Sequence, residues 1–305
     1  MESTQWADRG QVLQPEMAEP GQAGCIGVTR LGSVQLENGG FSIWVQVRGS
    51  SWVEAREGRF QLQRGEWIAL EKDSRPLVQS DRHGLCIGLS LGGDVLRSLG
   101  RLSDGTLYAG RGRLTPHDAR IALRLWRDAA GRAPTTDITT LRPLLLHLVG
   151  VQHDLAARVP RCPGRSRNRK RQVFGRLQRA RLFLEGNSDR IVRISELAEL
   201  TSFSSWYFSK TFLSLYDESP QAAAARLRIE RAADLLQGTS MMIGEVAAAC
   251  GFDNCCSFAR AFRARFGVSA SRYRQGVRVV APLAASPDAA NDPIVPRKTS
   301  LRTGT

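Results

Sequence analysis

The chain has 305 residues, 42% hydrophobic and 24% charged, which leaves room for two domains with separate cores and matches ordinary globular composition. Its net charge of +14 is unevenly placed: residues 1–157 carry 18 basic and 17 acidic side chains, residues 158–276 carry 21 and 10, so only the back part is aimed at a polyanion, nucleic acid ahead of an anionic membrane surface. No run approaches the roughly 18–20 apolar residues of a membrane span, the first residues lack the apolar core of a secretion signal, and six cysteines without a CxxC pair read as thiols of a reducing cytoplasm.

Residues 1–22 show no periodicity and are expected to be a mobile N-terminus. From Gly24 to Leu91 the pattern is of short strands. In "FSIWVQVRG", Phe41, Ile43, Val45 and Val47 alternate with Ser42, Trp44, Gln46 and Arg48, a period of two. Phe60 and Leu62, a turn at Arg64-Gly65, Trp67 to Leu70, and "LCIGLSL" continue it. Glycine-marked turns at Gly49, Gly58, Gly65 and Gly84 suit a β-sandwich or barrel.

Helices begin near Thr115, which caps "PHDARIALRLWRDAAG" with Pro116 at the first helical position and Gly131 as a stop. Leu141, Leu144, Leu148, Val151 and Leu155 then follow a 3-4-3-4 spacing. Such a seam serves either a homodimer or packing on the chain's own β-domain. "RVPRCPGRSRNRKRQ" (158–172), rich in Pro, Gly and Arg, reads as a basic linker, solvated or lying along phosphates. The Pro/Ala/Ser-rich residues 277–305 read as a disordered tail. The division is therefore 1–22, a sensor or dimerisation domain at 23–157, the linker 158–172, a helical domain at 173–276, and the tail.

Within residues 173–275 one pattern occurs twice. Ile194, Leu197, Ala198 and Thr201 match Ile243, Val246, Ala247 and Cys250, 49 positions on, each set on one face of a short helix. Phe203 and Phe252 follow in turns. Phe208 with Phe212, and Phe258 with Phe262, mark the buried face of a second helix in each copy, with Ser204 and Asp253 as expected caps. Short helix, tight turn and second helix make a helix-turn-helix, whose second helix enters the DNA major groove. The alanine-rich "SPQAAAARLRIERAADLLQG" (Ser219–Gly238) joins the two units, with Leu227, Ala232, Leu235 and Leu236 at helical spacing.

Together "ELAELTSFSSWYFSKTF", "RIERAADLL", "EVAAACGFDNCCSFARAFRARFG" and the closing "SRYR" resemble the DNA-binding domain of the AraC/XylS family of transcription regulators. The front half resembles that family's cupin-like sensor region in architecture alone. Two departures stand out: Asp217-Glu218 replaces the usual Gly before "SP", and Ala270 replaces the usual Pro of the closing motif. The resemblance implies an α+β two-domain chain. A cupin-like β-sandwich or barrel with trailing helices would precede an all-α domain of two helix-turn-helix units joined by a long helix. It implies a sequence-specific regulator, an activator in preference to a repressor, with double-stranded DNA as partner, RNA polymerase if it activates, and a small-molecule effector at the N-terminal domain. The alternative is a ligand-independent regulator whose front domain only dimerises or binds a protein. A nucleoid-type binder without a preferred site is a third class.

With the phenylalanines inward, Ser205, Trp206, Ser209 and Lys210 point out of the first recognition helix, and Asn254, Cys255, Cys256, Ala259, Arg260 and Arg263 out of the second. The resemblance places base readers at these positions, and the helical wheel agrees. Arg260 suits bidentate donation to guanine, Arg263 suits phosphate, Lys210 either, and Trp206 a thymine methyl or burial against a neighbour. Arg228 of the joining helix is expected to brace the units.

No metal, cofactor or enzyme activity is expected. The strands offer one histidine, His83, and His117, His147 and His153 have no ligand spacing. Trp44, Trp52 and Trp67 are candidates for effector-pocket walls or for core; the effector site stays unassigned. Adjacent Cys255 and Cys256 cannot easily join, since a disulfide needs Cα atoms roughly 4.4–6.8 Å apart and neighbours sit at about 3.8 Å. They read as small groove-facing groups, with a redox switch as the sharper alternative.

Overall fold

The computed structural model describes residues 5–15, 23–37, 40–102, 105–131 and 138–276; the expected disordered tail lies outside the described residues. The front half runs β1 (Gln5–Ala7), β2 (Val12–Leu13), β3 (Ala23–Thr29), β4 (Ser33–Gln35), β5 (Phe41–Arg48), β6 (Ser50–Ala55), β7 (Gly58–Gln63), β8 (Glu66–Leu70), β9 (Leu77–Ser80), β10 (Leu85–Leu91), α1 (Gly93–Leu102), β11 (Gly110–Arg113), α2 (Pro116–Ala130), α3 (Ile138–Val151) and α4 (His153–Ala156). Helices α5 (Arg167–Gly186), α6 (Ile194–Thr201), α7 (Ser205–Tyr216), α8 (Pro220–Gly238), α9 (Ile243–Ala249), α10 (Cys255–Phe266) and α11 (Ala270–Arg274) follow. None of the described helices is long and apolar enough to cross a membrane.

The strands form two sheets, in the orders β1-β3-β10-β5-β8-β11 and β2-β4-β9-β6-β7. The first sheet is a middle layer. Phe41, Ile43, Val45, Ile87 and Leu89 face α2 and α3, while Ile26, Val28, Trp44, Ile68 and Cys86 face the second sheet. The alternation legible in β5 is thus real, but both of its faces are buried, as expected for a central strand covered on two sides. Ser42 sits within this core as the acceptor for the Trp44 indole N–H.

Two sequence expectations are corrected, and one open choice is narrowed. Residues 5–7 and 12–13, inside the segment expected to be mobile, add β1 and β2 as parallel neighbours of β3 and β4. Trp6 holds β1 down by lying over Gly27, where a Cβ would meet its ring at 2.2 Å. The leucine seam takes the second of the two readings open to it: Leu141, Leu144 and Leu148 are buried against α2 and the sheet, and Leu155 joins the next core, so these leucines are spent within the chain. The second correction is the basic linker, whose latter part is helix: α5 starts at Arg167, capped by Ser166, and its first turns contain the arginine run.

Helix α5 also bolts the halves together. Leu182 belongs to the core between the sheets, whereas Phe174, Leu177 and Leu184 belong to the first helical core. At its end Gly186 crosses the β6–β7 turn so closely that a Cβ on Gly58 would lie 2.3 Å from the Gly186 carbonyl oxygen. Asn187 donates to the Glu57 carbonyl at 2.9 Å, and the Arg179 guanidinium to the Glu57 carboxylate at 2.9 Å, with Glu57 1% exposed. Removing one partner of a buried pair strands the other's charge. Arg179→Met is therefore expected to cost about 3–5 kcal/mol in urea unfolding followed by tryptophan fluorescence, and Glu57→Gln in the same chain to restore most of it.

Candidate nucleic-acid interface

Both helical units open on the same device. Glu196 accepts from the backbone N–H of Arg193 at 2.8 Å, and Glu245 from that of Met242 at 2.7 Å, each satisfying an otherwise orphaned donor at the helix start. Both first helices close through a left-handed residue, Ser202 at φ 53° and Gly251 at φ 69°. Phe203 and Phe252 then donate their backbone N–H to Ala198 and Ala247.

An arginine clamps each turn from the long helix before it. Arg228 donates to the Gly251 carbonyl at 3.0 Å and lies 4.8 Å over the Phe252 ring, while Arg176 donates to the Thr201 carbonyl at 3.3 Å and lies 5.4 Å over the Phe203 ring. The bracing role read for Arg228 holds. Arg176, its counterpart, was not singled out from sequence, and its signal was its place in the helix that precedes the first copy. Burial holds the Arg228 pKa below its ordinary value.

The second helices are α7 and α10, each 12 residues long. Ser204 caps α7 as expected, accepting from the Tyr207 N–H. In the second unit the cap is Asn254, accepting from the Ser257 N–H at 2.8 Å, and not Asp253. The Phe208/Phe212 and Phe258/Phe262 pairs are offset by 50 residues where the first helices are offset by 49, so the second turn holds one extra residue and Ser204 corresponds to Asn254. Asn254, placed among the outward residues, therefore has its side-chain oxygen committed to the helix.

The two departures from the family pattern also have local solutions. Asp217 takes the left-handed cap that Gly267 takes in the second unit, a conformation aspartate tolerates. It pairs there with Arg161 at 2.5 Å, which holds its carboxyl below the usual range. Ala270 opens α11 behind the Ser269 cap just as Pro220 opens α8 behind Ser219.

Phe208, Phe212, Phe258 and Phe262 are fully buried, which turns the opposite faces outward. On α7, Ser205, Trp206 and Lys210 are exposed and Ser209 is half-buried. Trp206 is 70% exposed with the Lys210 ammonium 4.9 Å from its ring, so it is not packed on a neighbouring helix. On α10, Cys255, Cys256, Ala259, Arg260 and Arg263 are all exposed. The two faces correspond position by position at an offset of 50: Ser205 with Cys255, Trp206 with Cys256, Ser209 with Ala259, Lys210 with Arg260. The same offset adds Leu213, 50% exposed and opposite Arg263 in the register, which was not among the expected site residues. Cys255 leans on α9, where a Cβ on Gly244 would lie 3.7 Å from its sulfur. The six cysteines are all free thiols. Of the three candidate pocket walls, Trp44 is core, Trp52 is 40% exposed beneath Arg59, and Trp67 is buried at the junction with α5.

A family model described as a helix-turn-helix domain matches residues 197–276. The HTH-type transcriptional regulator GbdR of Pseudomonas aeruginosa is 28% identical over 199 residues, 60% of this chain and 54% of GbdR. The Transposon Tn10 TetD protein of Escherichia coli is 30% identical over 94 residues, 31% of this chain and 68% of TetD. A solved probable AraC family transcriptional regulator from Rhodopseudomonas palustris is 33% identical, covering 34% of this chain and 98% of that one, with a TM-score of 0.32. The chain spans about half the length of GbdR.

If Asn254 is a cap, its chemistry and not its identity matters. Asn254→Ala should lower stability by about 1 kcal/mol, Asn254→Ser should restore it, and chemical denaturation of the two variants beside Ser204→Ala checks both.

Proposed function

We propose that this chain, which belongs to the AraC/XylS family of transcription regulators, binds a specific double-stranded DNA site by laying α7 and α10 into successive major grooves. The observation that carries this is the pair of exposed faces, built from the same helix positions and presented by units with the same caps and the same arginine clamps. Base contacts then fall to Arg260, Lys210 and Trp206, with Ser205, Ser209, Cys255, Cys256 and Ala259 lining the same faces. Arg263 neutralises phosphate, and Leu213 replaces that charge with an apolar contact in the first unit. Both readers reside in one chain, so spanning two grooves needs no second copy. Promoter activation with RNA polymerase as partner, a cytoplasmic setting, and a β-rich half that senses a small molecule complete the reading. The packed junction at α5 supports the last point, because it gives the front half a grip on the first helical core.

The test is selection of bound duplexes from a random library, followed by equilibrium binding. Arg260→Ala should relax preference at one base position by about 1–3 kcal/mol. Arg263→Ala should instead weaken all sequences alike and lower the salt slope by about 1. Indistinguishable behaviour of the two variants would contradict this division of contacts.

The adjacent cysteines supply fit. Changing both Cys255 and Cys256 to Ser should leave specific affinity within about tenfold, roughly 1.4 kcal/mol, and mild oxidant should leave the unmodified protein's binding unchanged in a gel-shift titration. Reversible loss on oxidation that the double serine variant abolishes would make the pair a thiol switch.

A further inference from the structure

The outward faces of α7 and α10 use the same helix positions but differ in chemistry. Trp206, Lys210 and Leu213 stand at i, i+4 and i+7, one line along α7. Cys256, Arg260 and Arg263 hold the same three places along α10. At 70%, Trp206 is the most exposed large apolar side chain among the described residues, and Leu213, two turns on, is 50% exposed. Among the described residues none of the exposed large apolar side chains belongs to α10. Single apolar residues scattered on a surface need no explanation. Two large ones in line, with a cation between them, on a helix that faces a duplex do.

The major groove offers a matching partner. Thymine alone sets a methyl group beside an acceptor there, its O4. Helix α7 carries the complement, an indole face with the Lys210 ammonium held 4.9 Å from the ring centroid. The contact keeps a donor beside an apolar plate, which suits O4 and the C5-methyl of one base. Helix α10 offers the opposite. Cys256 and Ala259 bring little apolar surface, and the Arg260 fork matches the O6 and N7 acceptors of guanine. Charge divides the same way, with one cation on the α7 line and two on that of α10.

We propose that the two halves of the DNA site are chemically unlike. Helix α7 selects thymine, the C5-methyl lying on Trp206 and O4 accepting from Lys210, and a second thymine methyl lies on Leu213. Helix α10 selects guanine through Arg260. This rests on the DNA-binding reading above and gives the site a direction, because the chain then seats on it in one orientation.

The test starts from a preferred duplex selected with the full chain. One half at a time is rebuilt with deoxyuridine for thymidine, which removes only the C5-methyl, or with 7-deazaguanine for guanine, which removes the N7 acceptor. Equilibrium binding is measured for the unmodified protein, Trp206→Ala, Leu213→Ala and Arg260→Ala. Deoxyuridine is expected to weaken binding about three- to fourfold per contacted methyl in one half, and by under about twofold in the other. Trp206→Ala should abolish the penalty at one thymine and Leu213→Ala at a second, the coupling that a direct contact requires. In the opposite half 7-deazaguanine should weaken binding about fivefold or more, and Arg260→Ala should abolish that penalty. Trp206 and Leu213 are exposed, so both variants should match the parent's melting temperature, and the base analogues test the unmodified protein in any case. Equal deoxyuridine penalties in the two halves, no penalty in either, or a penalty that persists in both Trp206→Ala and Leu213→Ala overturns the proposal while the two-reader function stands. Selection that returns no duplex preferred over bulk DNA overturns that function itself, and this proposal with it.

Discussion

Gly58 and Gly186 pass each other with no room for a Cβ on either, and that crossing fixes where the helical half of the molecule sits. The Glu57–Arg179 pair and the Asn187 amide close around it. From this anchor α5 runs through two cores, giving Leu182 to the sheets and Phe174, Leu177 and Leu184 to the first helix-turn-helix unit. Helix α8 repeats the arrangement one step on: Ala223 packs in the first unit's core, and Ile229, Ala232, Ala233 and Leu236 pack in the second's. Each long helix is therefore a shared wall, and the orientation of each unit follows from the helix that enters it.

The positive charge of the back half is less free than its total suggests. Arg161, Arg179, Arg190, Arg226 and Arg265 each pair with a carboxylate, and Arg176 and Arg228 are spent on clamping turns. Among the described residues Lys210, Arg260 and Arg263 pair with no carboxylate, and they stand on the outward faces of α7 and α10. Part of the surplus that the composition shows is thus held by the fold in structural arginines, while Lys210, Arg260 and Arg263 face solvent where a duplex would lie. The sorting matters because an arginine already held by a carboxylate has part of its donor set occupied.

The helix-turn-helix units were legible because their signal is local. Apolar spacing of 3 and 4, phenylalanine pairs and the Ser204 cap all lie within a dozen residues, and their recurrence fixed the register. The misread cap at Asp253 came from carrying an offset of 49 past a turn that holds one more residue; the phenylalanine pairs already required 50. What stayed hidden was tertiary. Nothing near Leu141–Leu155 distinguishes a seam that meets another chain from one that meets α2. The arginine-rich start of α5 reads as linker because its helical face is completed only by Val173, Phe174 and Leu177 beyond it. β1 and β2 are too short to show a period and are held by their partners, Trp6 on Gly27 above all.

The central claim is that one chain carries two DNA readers set by shared helices. Hydroxyl-radical footprinting of the full-length protein on a selected duplex tests it most directly. Two protected patches whose centres lie about one helical turn, roughly 10 base pairs, apart are the result this account predicts. A single patch, unchanged when Arg260 is replaced by Ala, would contradict it.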